Sequence, residues 1–179
     1  MIVRDATPDD AQAIAAIYGH DAVHGTGTFE EAAPTAAEMV SRLTAVQARG
    51  MPWVVAEDDN GRVLGFAYAA PYRPRAAYRY TAEDSVYVAP DAQGRGVGRA
   101  VLQRIVDECE ALGLRQLVAV IGDSANEGSA ALHRALGFQP VGALPDAGFK
   151  HGRWLDVVLM QKALNGGSQT PPEGPGIPL

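Results

Sequence analysis

The stretch Val86-Tyr87-Val88-Ala89-Pro90-Asp91-Ala92-Gln93-Gly94-Arg95-Gly96-Val97-Gly98-Arg99-Ala100 constrains this chain more than any other. A strand-like run ends at Ala89-Pro90, a short loop follows, and a glycine-rich turn opens a segment with Val101, Leu102, Ile105 and Val106 at helical spacing. The first N–H groups of a helix have no intrahelical partner and carry partial positive charge. A diphosphate can accept hydrogen bonds from them. Gly94, Gly96 and Gly98 let oxygens approach the backbone without a Cβ in the way, and Arg95 and Arg99 add charge at the same place. The spacing excludes two nucleotide motifs. A Gly-x-Gly-x-x-Gly fingerprint has its third glycine one residue later, and a P-loop needs Gly-Lys followed by Ser or Thr. A tight strand-to-helix turn without any ligand uses the same glycines, so on this stretch alone both readings stand.

The flanking sequence places that turn inside an alternation of strands and helices. Residues 1–4 read as a first strand, and Thr7-Pro8-Asp9-Asp10 reads as a helix start with a cap, a proline and acids in the first turn. Residues 25–34 are turn-rich. Thr35, with Glu38 three residues on, predicts a capping box ahead of a second helix to Ala48. Residues 53–57 and 63–69 form a hairpin across Asp58-Asp59-Asn60-Gly61, and residues 80–88 form the strand before the glycine turn. A helix over 98–112 stops at Gly113. The apolar run 116–121 predicts a strand covered on both faces. A helix over 129–136 ends at Gly137, and residues 138–143 and 154–160 complete the strands. The order β-α-α-β-β-β-α-β-α-β-β predicts an α/β fold with a mixed central sheet flanked by helices. With 179 residues, one domain over 1–164 is expected. The Pro- and Gly-rich residues 165–179 are expected to be flexible or to run over the surface.

Composition narrows the partners. A formal net charge of −6 argues against a general nucleic-acid binder, although clustered arginines still suit a small anion. No apolar run reaches membrane-span length, the N-terminus lacks a signal-peptide layout, and the single cysteine, Cys109, rules out an internal disulfide. These features predict a cytoplasmic protein with no membrane partner. His20 and His24 lie at i, i+4, but no third ligand or Glu-based zinc pattern accompanies them, so no metal is expected.

Gln93-x-x-Gly96-x-Gly98 between a strand and a helix resembles the coenzyme A signature of the GNAT acetyltransferases, and Asn126-x-x-Ser129-x-x-Leu132-His133-x-x-Leu136-Gly137-Phe138 is similar to that family's second coenzyme-facing helix. The segments 80–88, 118–122 and 148–157 look like the phosphinothricin acetyltransferase group. The resemblance covers about residues 1–162 and implies the GNAT fold, acetyl-CoA as acetyl donor, a small amino-acid acceptor (phosphinothricin, methionine sulfoximine or methionine sulfone) and a homodimer. It implies coenzyme contacts from Val86, Tyr87 and Val88, from Gln93, Gly94, Arg95, Gly96, Val97, Gly98 and Arg99, and from Asn126 and Ser129.

Acetyl transfer to an amine requires a base, stabilisation of the oxyanion and a proton for the thiolate. Alternation along the strand puts Glu83, Ser85 and Tyr87 on one face and Asp84, Val86 and Val88 on the other. Glu83 is the candidate base, as the matching glutamate is in the resembled group; a plain salt-bridged strand glutamate is the alternative. His133 is the candidate acid or second base, with an ordinary helical histidine as the alternative. The oxyanion is expected to meet backbone N–H groups near Val88. Arg73, Arg75 and Arg79, interleaved with Tyr72, Tyr78 and Tyr80, suit an acceptor rich in carboxylate or phosphinate oxygens, with Lys150 joining them and Phe29 walling the pocket. An acetyltransferase for a protein N-terminus or a polyamine, and an acetyl-CoA-binding sensor without turnover, are the competing readings.

Overall fold

Seven strands form one sheet in the order β1-β2-β3-β4-β5-β7-β6, where β1 is Ile2–Asp5, β2 Trp53–Glu57, β3 Val63–Pro71, β4 Thr81–Val88, β5 Gln116–Gly122, β6 Gln139–Lys150 and β7 Arg153–Ala163. This is a computed structural model, and it describes residues 1–178. Every neighbouring pair is antiparallel except β4 and β5. Parallel neighbours need a crossover, which the helix α3, Val97–Ala111, supplies. The remaining helices are α1 Ala11–His24, α2 Ala36–Gln47 and α4 Glu127–Ala135. The element order, the mixed sheet and the α/β class are those expected from the sequence.

Local chemistry explains the helix starts. Thr7 and Asp10 cap a short 3-10 turn ahead of α1, with the Thr7 N–H donating to Asp10 Oδ2 at 2.8 Å. Thr35 Oγ1 accepts the Glu38 N–H at 3.1 Å, one half of the predicted capping box. The Glu38 side chain turns instead to Arg42.

The two faces of β4 lead to different helices. Tyr87 meets Tyr18 of α1 edge-on, with ring centroids 4.8 Å apart, and stacks on Phe66 of β3. On the opposite face, Gly98 at the start of α3 lies so close to Val86 and Val88 that an added Cβ would sit 3.9 and 3.5 Å from their methyl groups. The buried Val97, Val101, Leu102, Ile105 and Val106 of α3 fill the space between this helix and β2, β3 and β4. Core burial of this kind stabilises by about 25 cal/mol per Å² of apolar surface.

Two expectations need correction. The run 116–121 is not covered on both faces: Val118 is half-buried and Val120 exposed. The pairing of β4 with β5 stops at Asp84↔Ala119, after which the strands splay and leave one side of β5 open. Strand β6 is twelve residues long, well beyond the expected 138–143, because it bulges twice against β7 and so continues to Lys150 as an exposed sheet edge. The Pro- and Gly-rich tail runs over the surface. Arg115 donates to the carbonyls of Gly167 (2.7 Å) and Thr170 (2.8 Å), Tyr80 Oη to that of Gly174 (2.6 Å), and the Ile177 N–H to that of Arg79 (2.7 Å).

Candidate active site

The glycine turn has the backbone its sequence requires. Gly94 and Gly96 adopt φ of 72° and 82°, left-handed values that cost a side-chain-bearing residue about 1–2 kcal/mol. Nothing lies within 4 Å of where a Cβ would stand at either, so the turn faces open space. The first main-chain bond of α3 runs from the Ala100 N–H to the Gly96 carbonyl at 3.0 Å. The amides of Val97, Gly98 and Arg99 precede it and have no main-chain partner among the described residues. Val97 offers only its amide, because its side chain is buried.

A cavity of about 520 Å³ begins at this turn and passes between the splayed ends of β4 and β5. Val86, Tyr87, Val88, Gln93, Gly94, Gly96, Val97, Gly98, Arg99, Asn126, Ser129 and His133 all line it, whereas Arg95 is exposed outside it. Asn126 caps α4 through its side-chain oxygen, which accepts the Ser129 N–H at 3.2 Å, leaving its amide nitrogen available to a ligand. The far end of the cavity reaches the opposite face of the sheet at Ile17, His20, Asp21 and Gly27.

The two acid–base candidates lie on opposite faces of β4. Glu83 is half-buried on the α1 face, beyond the cavity lining. Burial pushes its carboxyl above the usual glutamate value, the charge of Asp84 adds to this, and Arg73 pulls it back. His133 is 3% exposed on the other face. Its Nδ1 lies 2.7 Å from the Ser129 carbonyl, which can only accept, so Nδ1 carries a proton. Its Nε2 lies 2.9 Å from Asp84 Oδ2. Burial alone lowers the imidazole, but the hydrogen bond and charge of Asp84 outweigh it, and the net direction is upward. Burial likewise pushes Asp84 up while His133 pulls it down. The buried pair therefore holds one proton between two heteroatoms.

Asp84 is absent from the sequence-based candidates. The signal was present: a carboxylate alternating with Val86 and Val88 on an apolar strand face needs a buried partner.

The acceptor-side candidates divide. Arg73, Arg75 and Tyr78 stand exposed in the loop between β3 and β4, neither arginine forms an ion pair among the described residues, and Arg73 is the arginine of this run whose charge acts on Glu83. Arg79 is engaged locally: its guanidinium donates to the Ala76 carbonyl at 3.1 Å and lies 5.4 Å from the Tyr80 ring centroid, while its own carbonyl accepts the Ile177 N–H of the tail. Lys150 does not join the run. It is 2% exposed, and its Nζ donates to the Thr28 carbonyl at 2.8 Å beneath the loop after α1. Phe29 lies on Gly122 and Gly148, close enough that an added Cβ would meet its ring at 3.1 and 2.3 Å. On the same face, the Arg42 guanidinium chelates Glu30 and lies 5.6 Å from the Tyr18 ring centroid. Among the described residues no group of three or more His, Cys, Asp or Glu is placed to hold a metal ion, and no helix is long and apolar enough to cross a membrane.

Residues 16–138 match the acetyltransferase (GNAT) family. A phosphinothricin N-acetyltransferase of Alcaligenes faecalis is 53% identical over 172 residues, covering 96% of this chain and 85% of the relative. An L-methionine sulfoximine/L-methionine sulfone acetyltransferase of Pseudomonas paraeruginosa is 39% identical, covering 91% and 94%. The crystal structure of a GNAT superfamily phosphinothricin acetyltransferase from Sinorhizobium meliloti in complex with AcCoA superposes with a TM-score of 0.94 at 46% identity, covering 98% of this chain and 94% of that one.

Proposed function

This chain belongs to the acetyltransferase (GNAT) family, and from that premise we propose that it moves an acetyl group from acetyl-CoA to the α-amino group of a small amino-acid-like acceptor of the phosphinothricin, methionine sulfoximine or methionine sulfone type. One observation carries the reading: a single cavity leads from the unpartnered amides of Val97, Gly98 and Arg99, through the splay after Asp84 and Ala119, to the face that bears Glu83.

The residues fit acetyl-CoA. The α3 amides with Arg99 would hold the pyrophosphate, with Gly94 and Gly96 leaving the room it needs. The β4 main chain past Asp84, which has no strand partner on the β5 side, and Asn126 would hold the pantetheine arm. Bound there, acetyl-CoA supplies the activated acyl group. Glu83, raised by burial, takes the proton of the acceptor ammonium directly or through a water. Arg73, beside Glu83 and exposed, holds the acceptor's acidic end, with Arg75 and Tyr78 further out on the same loop. Both nitrogens of His133 are engaged, which supports a role in positioning β4 against α4 rather than in proton donation.

We further propose that the chain is cytoplasmic and pairs through β6 and β7. Val141, Leu144, Phe149 and Trp154 are each more than half exposed on this terminal hairpin, an apolar surface that a second copy would cover. The direct test of the activity is thiol release from acetyl-CoA with phosphinothricin, methionine sulfoximine, methionine sulfone, spermidine and an N-terminal peptide. Turnover confined to the first three is expected. Turnover of spermidine alone, or acetyl-CoA binding without turnover of any amine, would replace this reading with one of its rivals.

A further inference from the structure

Thr28, 9% exposed, has every polar atom engaged. Its N–H donates to Asp21 Oδ2 at 3.0 Å, and its carbonyl accepts from Lys150 Nζ at 2.8 Å. Its Oγ1 pairs with the Tyr18 hydroxyl at 2.9 Å and accepts the Glu30 N–H at 3.2 Å. Lys150 comes from the far end of β6, 122 residues away in sequence. Among the described residues it forms no ion pair, and its one other hydrogen bond is to the Asp21 carbonyl at 3.5 Å.

A buried ammonium that bonds main-chain carbonyls, with the charges of Asp21, Glu31 and Glu30 acting on it from beyond ion-pair distance, is an expensive way to fill space, since an apolar chain of similar length packs without desolvating a charge. What the charge holds is the loop over residues 25–31. Gly27 of that loop lines the cavity, Phe29 lies across the ends of β5 and β6, and Glu30 receives Arg42. The loop therefore forms part of the cavity wall on the face that carries Glu83, through Gly27 beside Ile17, His20 and Asp21 of α1.

We propose that Lys150 is a positioning residue: through the Thr28 carbonyl it fixes the loop over residues 25–31 as the wall of the acceptor chamber, and it does not itself touch the acceptor. The proposal rests on the reading above that the acceptor enters on the α1 face. The loop carries the acceptor side of the chamber and none of the amides of α3, so acceptor and coenzyme should respond differently to its release.

The test is steady-state kinetics on the full chain carrying Lys150→Met, which removes the donor to the Thr28 carbonyl, Thr28→Val, which keeps that carbonyl but removes the hydroxyl anchors to Tyr18 and Glu30, or both, with acceptor and acetyl-CoA varied in turn. Loss of a hydrogen bond to a charged group corresponds to about tenfold or more in the acceptor KM, with the acetyl-CoA KM held within about twofold. Thr28→Ser, which keeps the hydroxyl, is expected to restore the acceptor KM. The double variant is expected to be little worse than either single one, because each frees the same loop. A glutamate-specific protease should cut faster at Glu30 and Glu31 in Lys150→Met. Should that variant fail to fold, Lys150→Gln, which removes the charge and shortens the reach to the Thr28 carbonyl, carries the same expectations. Unchanged KM values, or equal rises in both, would overturn the proposal. Absence of turnover in the unaltered chain would instead sink the functional reading, and the cleavage rates would still report whether Lys150 holds the loop.

Discussion

The Asp84–His133 pair permits a quantitative prediction, because both partners are buried and their contacts are few. Asp84→Ala leaves Nε2 of His133 without its partner at a buried position on the cavity wall. Breaking a buried pair from one side costs about 3–5 kcal/mol, and each kcal/mol moves the melting temperature of a chain this size by about 2–4 °C. The melting temperature should therefore fall by about 6–20 °C. Asp84→Asn should behave differently. The Ser129 carbonyl keeps the proton on Nδ1, so Nε2 presents a lone pair that an asparagine N–H can meet. That exchange of a charged for a neutral hydrogen bond costs about 1.5 kcal/mol or less. The pH dependence separates the two further. Because the folded-state pKa of His133 is raised, its contribution is present in full below the ordinary histidine value of about 6.5 and is lost as pH climbs through the raised value. Calorimetric melting from pH 6 upward should show this loss in the parent chain and not in Asp84→Asn. An alanine variant within about 1 kcal/mol of the parent, or an asparagine variant as unstable as alanine, would refute the account of a shared proton.

Two further outcomes follow from the site and the sheet edge. Glu83→Gln should lower kcat by about a hundredfold or more while acetyl-CoA affinity, read by calorimetry, stays within about twofold. The parent's rate should fall as pH drops through the raised Glu83 pKa, since the base works only when deprotonated, and a Gln variant with the same acid limb would remove Glu83 from the mechanism. Trp154→Asp, on the exposed hairpin, should convert a dimer to a monomer in light scattering; a parent chain that is monomeric at micromolar concentration would end the pairing proposal.

Several features of this protein were open to reading from the chain alone because their causes are local. The turn at 93–98 follows from glycines that reach positive φ and from a helix start a few residues on. The caps at Thr7 and Thr35 act across three residues, and the strand and helix order follows from short periodicities. Periodicity also placed Glu83 and Asp84 on opposite faces of β4, but not the company each would find there. Asp84 meets His133 across 49 residues, and Lys150 meets Thr28 across 122, because strand register and the end of the β4–β5 ladder bring them together. The same long-range geometry moved Lys150 away from the arginine loop and tied the Arg79 carbonyl to the tail. A side chain's type and spacing report what it can bond within a few residues of itself. Which distant partner satisfies a buried charge is decided only when sheet and helices close around it and water is no longer available to do so.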